Sequence, residues 1–453
     1  MDLKGKKTLV IGMGKSGMAA AEALIRLGAV VSVYDKKEAG KIDSGFIELI
    51  EKNGAKSYFG VDPDNADSQD LIVVSPGVPL ELPFIISAEE AGVKVIGELE
   101  LAYQAGKGKY IAITGTNGKT TTTTLVGEMF RNAGRKTEVV GNVGVAVVSK
   151  AIEATDDTWL VTETSSFQLD TTEQFRPVVS ALLNVTPDHM DRHKTLENYA
   201  AAKAKIYANQ DAGDYFVVNR DDPEAFRLAK GCRATVVPFS RKEQLDFGCF
   251  VKDGRIVIRD KTGSLIDFCA AKELIIPGAH NLENALAAAA IGYFAGLPAE
   301  SVARTLREFE GVAHRMEFVA EVKGVRYVND SKGTNSDASI KAIEAIDDNI
   351  ILIAGGYDKG GTFEELIGSF NGKVRYLILL GKTAGLIRKT ALDAGFTDII
   401  MAGDMAECVR RASEVAAPGA TVLLSPACAS WDMYTCFEER GEDFKNCVSN
   451  LEK

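Results

Sequence analysis

Ile111-Ala112-Ile113-Thr114-Gly115-Thr116-Asn117-Gly118-Lys119-Thr120-Thr121 is the stretch on which the fold turns. An apolar strand-like run ends in glycines, and residues 125–130 continue as a helix. Gly118-Lys119-Thr120 has the form that ends a phosphate-binding loop. Backbone N–H groups cradle phosphate oxygens there, the lysine reaches the β and γ oxygens, and the threonine hydroxyl meets Mg2+. The strict pattern asks for glycine where Ile113 stands. What carries the reading is the setting of the tripeptide between a strand and a helix.

Upstream, residues 8–11 form an apolar run before Gly12-x-Gly14-x-x-Gly17, helical spacing follows over 18–27, and Asp35 ends the next strand at 29–34. Glycines at this spacing let the backbone approach a phosphate at a helix N-terminus. Alone, the motif reads as an NAD-dependent dehydrogenase, or as a tight strand-to-helix turn with no ligand. Further strands are expected at 71–74, 93–96, 159–162, 181–185, 215–218, 350–353, 376–379 and 421–424. Residues 248–276 alternate apolar and polar side chains with turns at Asp253-Gly254 and Thr262-Gly263, which predicts a small antiparallel patch. Short apolar runs alternating with Ala/Leu-rich helical stretches make the fold class α/β with largely parallel sheets.

The chain has 453 residues, 46% hydrophobic and 25% charged, which excludes disorder and implies about three domains. Boundaries are expected near 98 and 312. Residues 1–98 form an N-terminal Rossmann-like domain, 99–312 a central P-loop ATPase-like domain with the antiparallel patch, and 313–453 a C-terminal Rossmann-like domain. The net charge of −11 argues against a nucleic-acid or anionic-membrane partner, so a bound phosphate must be held by local groups. The longest uncharged stretches, 284–299 and 415–431, are broken by Gly and Pro and fall short of the ~20 apolar residues of a membrane span. No signal peptide is read at the N-terminus. Seven scattered cysteines without a C-x-x-C pair suit reduced thiols. A cytoplasmic enzyme is the expectation.

Polar residues cluster after the central strands. Glu163 opens Glu-Thr-Ser165-Ser-Phe-Gln168, His189 lies in the segment 184–191, Lys203 sits on a helix, and Asn281 and Asn284 are three apart on one helix face. Each has a duller alternative: Asp188 or Asp191 as a cap, Lys203 as a solvated helix charge, His189 as a turn histidine. The last block adds His314-Arg315, Asn329-Asp330-Ser331-Lys332-Gly333-Thr334-Asn335, Gly355-Gly356-Tyr357-Asp358-Lys359 and Ser425–Ser430, each after a strand, where open α/β sheets bind ligands.

Taken together and in this order, the motifs resemble the ATP-dependent Mur ligases of peptidoglycan synthesis along essentially the whole chain, and most closely the branch that adds D-glutamate. The family form of the phosphate loop lacks the first glycine, as here. The resemblance implies that a substrate carboxylate attacks the γ-phosphate of ATP, giving an acyl phosphate that an amino-acid amine converts to an amide. It also implies a role for each group. Gly115, Thr116, Asn117, Gly118, Lys119, Thr120 and Thr121 would bind ATP with Asn281, Asn284, Arg315, Asp330 and Lys332. Thr120, Glu163, His189 and Lys203 would serve one or two Mg2+, Lys203 as a carbamate formed with CO2. Lys119, Glu163, His189, Lys203 and Asp330 form the catalytic set.

For the UDP-MurNAc-L-Ala substrate the implied residues are Gly14, Lys15, Ser16, Asp35, Lys37, Ser75, Gly77, Asn142, Ser165, Gln168 and His189. The family more often has Arg where this chain has Lys37. For D-glutamate they are Thr334, Lys359, Ser430 and Phe437, whose donors suit a second carboxylate. The lysine- and diaminopimelate-adding ligases carry Asp-Asn-Pro in the last domain, which is absent here. Folylpolyglutamate synthetase would put the phosphate loop much nearer the N-terminus. A dehydrogenase would leave the phosphate loop unexplained, and a P-loop switch protein would make no amide bond. A small-molecule enzyme is implied, monomeric, with closure of the last domain.

Overall fold

The computed structural model describes the whole chain except Pro277, residues 358–361 and 452–453, and the side chain of residue 191. Three sheets organise it. The first runs, edge to edge, Lys56–Phe59, Val30–Asp35, Lys7–Ile11, Leu71–Val74, Lys94–Gly97, all parallel. Leu71–Val74 is apolar and buried at every position, as a strand covered by helices on both faces must be.

The second sheet has nine strands, in the order Leu265–Ala270, Arg255–Arg259, Gly248–Lys252, Thr235–Ser240, Tyr215–Asn219, Val179–Leu182, Lys109–Thr114, Trp159–Glu163, Thr137–Gly141. Six strands from Thr235–Ser240 to Thr137–Gly141 are parallel. The expected antiparallel patch is present over 248–270, with Asp253 at φ 51° in its first turn. It is not a separate hairpin but the continuation of this sheet, joined through the parallel pairs Phe239↔Cys249 and Ser240↔Phe250. The third sheet runs Glu317–Val322, Val325–Asn329, Thr421–Leu424, Ile350–Ala354, Val374–Leu379, Ile399–Met401, with only the first pair antiparallel.

The chain forms two compact units. One is Met1–Glu273 with Glu283–Arg307, holding the first two sheets; the other is Leu274–Leu282 with Glu308–Lys453, holding the third. The division falls inside helix Ala279–Phe294. In the second unit a side chain at Gly278 would meet the Ala345 methyl at 3.1 Å, and one at Gly311 would meet Ile276 at 3.2 Å. All seven cysteines are free thiols. No helix among the described residues is long and apolar enough to cross a membrane.

Candidate active site

The central strand Lys109–Thr114 delivers the chain into the phosphate loop, and helix Lys119–Asn132 leaves it. Ile113, where a strict loop would have glycine, is wholly buried strand. Gly118 caps the helix at φ 83°, and a Cβ there would stand 2.3 Å from Asn284 Oδ1, so both the backbone and the space require glycine. Asn284 Oδ1 accepts the Thr122 hydroxyl at 3.3 Å, which ties helix Ala279–Phe294 to the loop.

Asn184 clamps the opposite wall. Its Oδ1 accepts the Asn117 N–H at 2.8 Å and its Nδ2 donates to the Asn117 carbonyl at 3.1 Å, while its own carbonyl accepts the Thr116 N–H at 3.0 Å. The amides of Thr116 and Asn117 are thus engaged with the wall. The first N–H groups of the helix, at Lys119, Thr120 and Thr121, have no intrahelical acceptor. Lys119 Nζ donates to the carbonyls of Gly115 at 2.9 Å and Thr116 at 2.8 Å.

Glu163 ends the strand beside the loop strand, paired with Ile113. Its Oε1 accepts from Asn142 Nδ2 at 2.8 Å, whereas Oε2 is buried with no hydrogen-bond partner among the described residues. Lys203, on helix Leu196–Ala204, is 1% exposed. Its Nζ donates to the Gly115 carbonyl at 2.8 Å and lies 4.3 Å over the Tyr199 ring. Burial, then the charge of Lys119, hold its ammonium well below the usual lysine range, against the pull of Asp188 and Glu163. The solvated-charge alternative for Lys203 is excluded.

No three His, Cys, Asp or Glu side chains among the described residues converge on one metal position. Mg2+ does not require that, since it takes one or two carboxylates and fills its shell with substrate phosphates and water. The unpartnered Glu163 oxygen beside a phosphate loop fits such an ion.

His189, in the left-handed region at φ 53°, is half exposed, with Nε2 at 3.6 Å from Asp188 and its ring 4.9 Å from Phe167. Ser165 and Gln168 form a reciprocal capping box for helix Ser166–Asp170. Arg192, which sequence reasoning missed, donates to the carbonyls of Pro76 at 3.1 Å and Val78 at 3.2 Å, with its guanidinium 4.5 Å over Phe167. It draws the Ser75–Gly77 loop toward the His189 segment.

In the first sheet Gly14 caps helix Lys15–Arg26 without a side chain. Both Asp35 oxygens accept backbone N–H groups, of Met13 at 2.7 Å and Lys37 at 2.9 Å, and the Ser75 hydroxyl donates to the Gly12 carbonyl at 2.7 Å. These side chains shape the glycine loop; Lys15 and Lys37 are exposed.

In the second unit Asp330 is buried, accepting the Ser425 hydroxyl at 2.7 Å, and burial lifts its carboxyl to about 6 against the pull of Ser425 and Arg315. Desolvation pushes the imidazole of partly buried His280 down to about 4, with Arg315 and Lys341 adding to the effect. Asn281 is buried beside it in sequence. Lys332 Nζ lies 5.4 Å over the Phe437 ring, the Thr334 N–H donates to the Lys332 carbonyl at 2.9 Å, and Ser430 is buried. Arg440, also missed, joins these loops: it donates to Ser331 Oγ at 3.0 Å, the Ser331 carbonyl at 2.8 Å and the Cys428 carbonyl at 3.1 Å. Lys359 lies outside the described residues.

Known families match in three consecutive segments: a Mur ligase MurD-like N-terminal domain over 6–97, a Mur ligase middle domain over 113–292, and a Mur ligase glutamate ligase domain over 314–428. A phosphate loop in a three-sheet α/β chain with these matches defines a nucleotide-dependent ligase, and the chain belongs to the Mur ligase family. Two of its relatives are the UDP-N-acetylmuramoylalanine–D-glutamate ligases of Thermoanaerobacter sp. (strain X514), 49% identical over 100% of both chains, and of Pelotomaculum thermopropionicum, 50% identical over 100% of this chain and 99% of the relative. Among solved structures, MurF from Acinetobacter baumannii aligns with a TM-score of 0.61 at 15% identity, covering 98% of this chain and 93% of that one. A pseudomurein peptide ligase from Methanothermus fervidus gives 0.60 at 17%, covering 99% and 100%. At these identities the structural likeness speaks for the fold.

Proposed function

We propose that this chain is an ATP-dependent ligase that joins D-glutamate to UDP-N-acetylmuramoyl-L-alanine, a step of peptidoglycan precursor synthesis. What most supports the chemistry is the grouping of Lys119, the unpartnered Glu163 oxygen and buried Lys203 around one glycine loop. Full-length relatives near 50% identity with that printed activity support the substrates.

In this reading residues 1–98 bind the UDP portion, 99–312 bind ATP, and 313–453 bind the amino acid. The L-alanine carboxylate attacks the γ-phosphorus of ATP and ADP departs. The D-glutamate amine then attacks the acyl phosphate carbonyl, phosphate departs, and an amide remains. Cleavage of ATP drives the reaction, and positioning and charge neutralisation accelerate it. Lys119 exchanges the loop carbonyls for phosphate oxygens, and the N–H groups at the start of its helix face the same anion. Asn284 and Asn281, with Arg315, Asp330 and Lys332, serve the nucleotide.

Thr120, Glu163, His189 and Lys203 are the residues that would hold Mg2+, which supplies charge neutralisation of the phosphates. Lys203 can join them only as an anion. Burial disfavours the ammonium, and in its neutral form the amine attacks CO2, loses a proton and becomes a carbamate, with oxygens in place of an ammonium. Gly14, Lys15, Ser16, Lys37, Ser75, Gly77, Asn142 and His189 line the UDP-sugar side, with Asp35, Ser165 and Gln168 shaping it. Thr334, Lys359, Ser430 and Phe437 take the D-glutamate carboxylates. The enzyme acts as a cytoplasmic monomer.

The test is phosphate release from MgATP with UDP-N-acetylmuramoyl-L-alanine and, separately, D-Glu, L-Glu, L-Lys and meso-diaminopimelate. Release is expected with D-Glu alone, with a product heavier by one glutamate residue. Release with another amino acid would keep the mechanism and overturn the roles of Thr334, Lys359 and Ser430. No release with any of them would overturn the ligase reading.

A further inference from the structure

Glu98 opens helix Glu98–Ala105 directly after Lys94–Gly97, the last strand of the first sheet. It falls between the matched segments 6–97 and 113–292, so neither match covers it. The side chain is 2% exposed. Its Oε1 accepts the Val148 N–H at 2.6 Å, and its Oε2 is buried with no hydrogen-bond partner among the described residues. Burial lifts the carboxyl to about 7, against the pull of the Val148 and Val147 N–H groups. A buried carboxyl with one unsatisfied oxygen is a net cost to folding, so stability alone gives no reason for it.

What it holds points to a reason. Val147 and Val148 begin helix Val147–Ala151, where N–H groups lack intrahelical acceptors. That helix ends a tight turn starting at Gly141, whose N–H donates to the Val145 carbonyl at 2.9 Å. At the head of the turn, the Asn142 N–H donates to the Glu163 carbonyl at 3.0 Å and its side chain to Glu163 Oε1 at 2.8 Å. The segment 142–148 is therefore pinned at one end to Glu163 and at the other to Glu98.

We propose that Glu98 is a positioning residue for the reaction: by anchoring the far end of the 142–148 segment it fixes Asn142, and through Asn142 it orients the Glu163 carboxylate at the phosphate loop. This rests on the catalytic role given to Glu163 above.

The experiment pairs amide hydrogen exchange of the ligand-free full-length protein with steady-state kinetics for Glu98→Ala and Glu98→Gln. In Glu98→Ala the 143–148 amides should exchange about tenfold faster, the size expected from loss of one hydrogen bond to a charged group. Turnover should fall about tenfold, half-maximal rate should need severalfold more Mg2+, and KM for D-glutamate should stay unchanged. Glu98→Gln, which keeps an oxygen for the Val148 N–H, should restore exchange and turnover to within about twofold. A merely structural role would lower thermal stability and leave the Mg2+ requirement unmoved. An unchanged 143–148 segment in Glu98→Ala would overturn the proposal, as would a loosened segment with wild-type kinetics. Should Glu98→Ala not fold, Glu98→Gln decides alone, and failure to keep turnover and exchange near wild type would overturn the anchor. Wild-type protein inactive with every amino acid would overturn the functional reading instead, and the exchange comparison would still decide the anchor.

Discussion

Lys203 places a long amine where it has one carbonyl, one ring face and almost no water. Desolvation disfavours the ammonium, so the residue is a source of strain that a methyl or thioether side chain would relieve. Lys203→Ala should therefore abolish turnover, by more than about a hundredfold as for loss of a preorganised charge at a reacting centre, while the melting temperature stays level or rises. Adding a short-chain carboxylic acid should restore part of the rate, because an external carboxylate can occupy the space the side chain leaves. Phosphate release and thermal melts measure both, and full activity in Lys203→Ala would end the carbamate role. The sequence does not display this burial. Ala200, Ala201 and Ala202 precede the lysine, and a run of small residues gives a helix no apolar face from which orientation could be read.

The clearest elements in the sequence were the central ones. Leu71–Val74 coincides with its expected bounds, and the loop between Lys109–Thr114 and Lys119–Asn132 stands where its glycines put it. The strands that escaped notice have physical reasons for doing so. Lys56–Phe59, Thr137–Gly141, Glu317–Val322 and Ile399–Met401 lie at sheet edges and are largely half-exposed; the first three mix polar with apolar residues, and the last is only three residues long. Thr235–Ser240 is interior but carries Pro238, which ordinarily argues against a strand. Asn184, Arg192, Glu98 and Arg440 were missed because their partners are mainly backbone atoms distant in the chain, which no spacing announces. Gly118 supplies the test at this scale. Gly118→Ala adds a methyl against Asn284 in a left-handed backbone, at a cost of roughly 1–2 kcal/mol in conformation alone, and should abolish nucleotide binding while leaving the UDP-sugar bound. Isothermal titration with a non-hydrolysable ATP analogue and with UDP distinguishes the two, and unchanged affinity for the analogue would contradict the loop assignment.

At the scale of the whole molecule, each unit buries its own apolar clusters: Leu9, Val10 and Leu160 lie in the first, Leu352, Leu377 and Val422 in the second. Two such cores need not melt together, so calorimetry should resolve two transitions rather than one. UDP at a hundred times its dissociation constant should stabilise one of them by about 2.7 kcal/mol and leave the other in place. A single transition moved as a whole would refute independent melting. The motifs and a boundary near 312 were legible in the chain; that residues 274–282 pack with the segment beyond that boundary was not, because it depends on which distant segments share a core.

The short stretch Leu274–Leu282 packs with residues that follow it by dozens of positions, while the helix it begins continues into the first unit. The second unit is therefore not a contiguous cassette. Chimaeras between relatives joined near residue 308 would inherit this stretch from one parent and its packing partners from the other. Such hybrids should be rescued by exchanging 274–282 along with the C-terminal portion, which makes the minimal exchangeable module two pieces of chain rather than one.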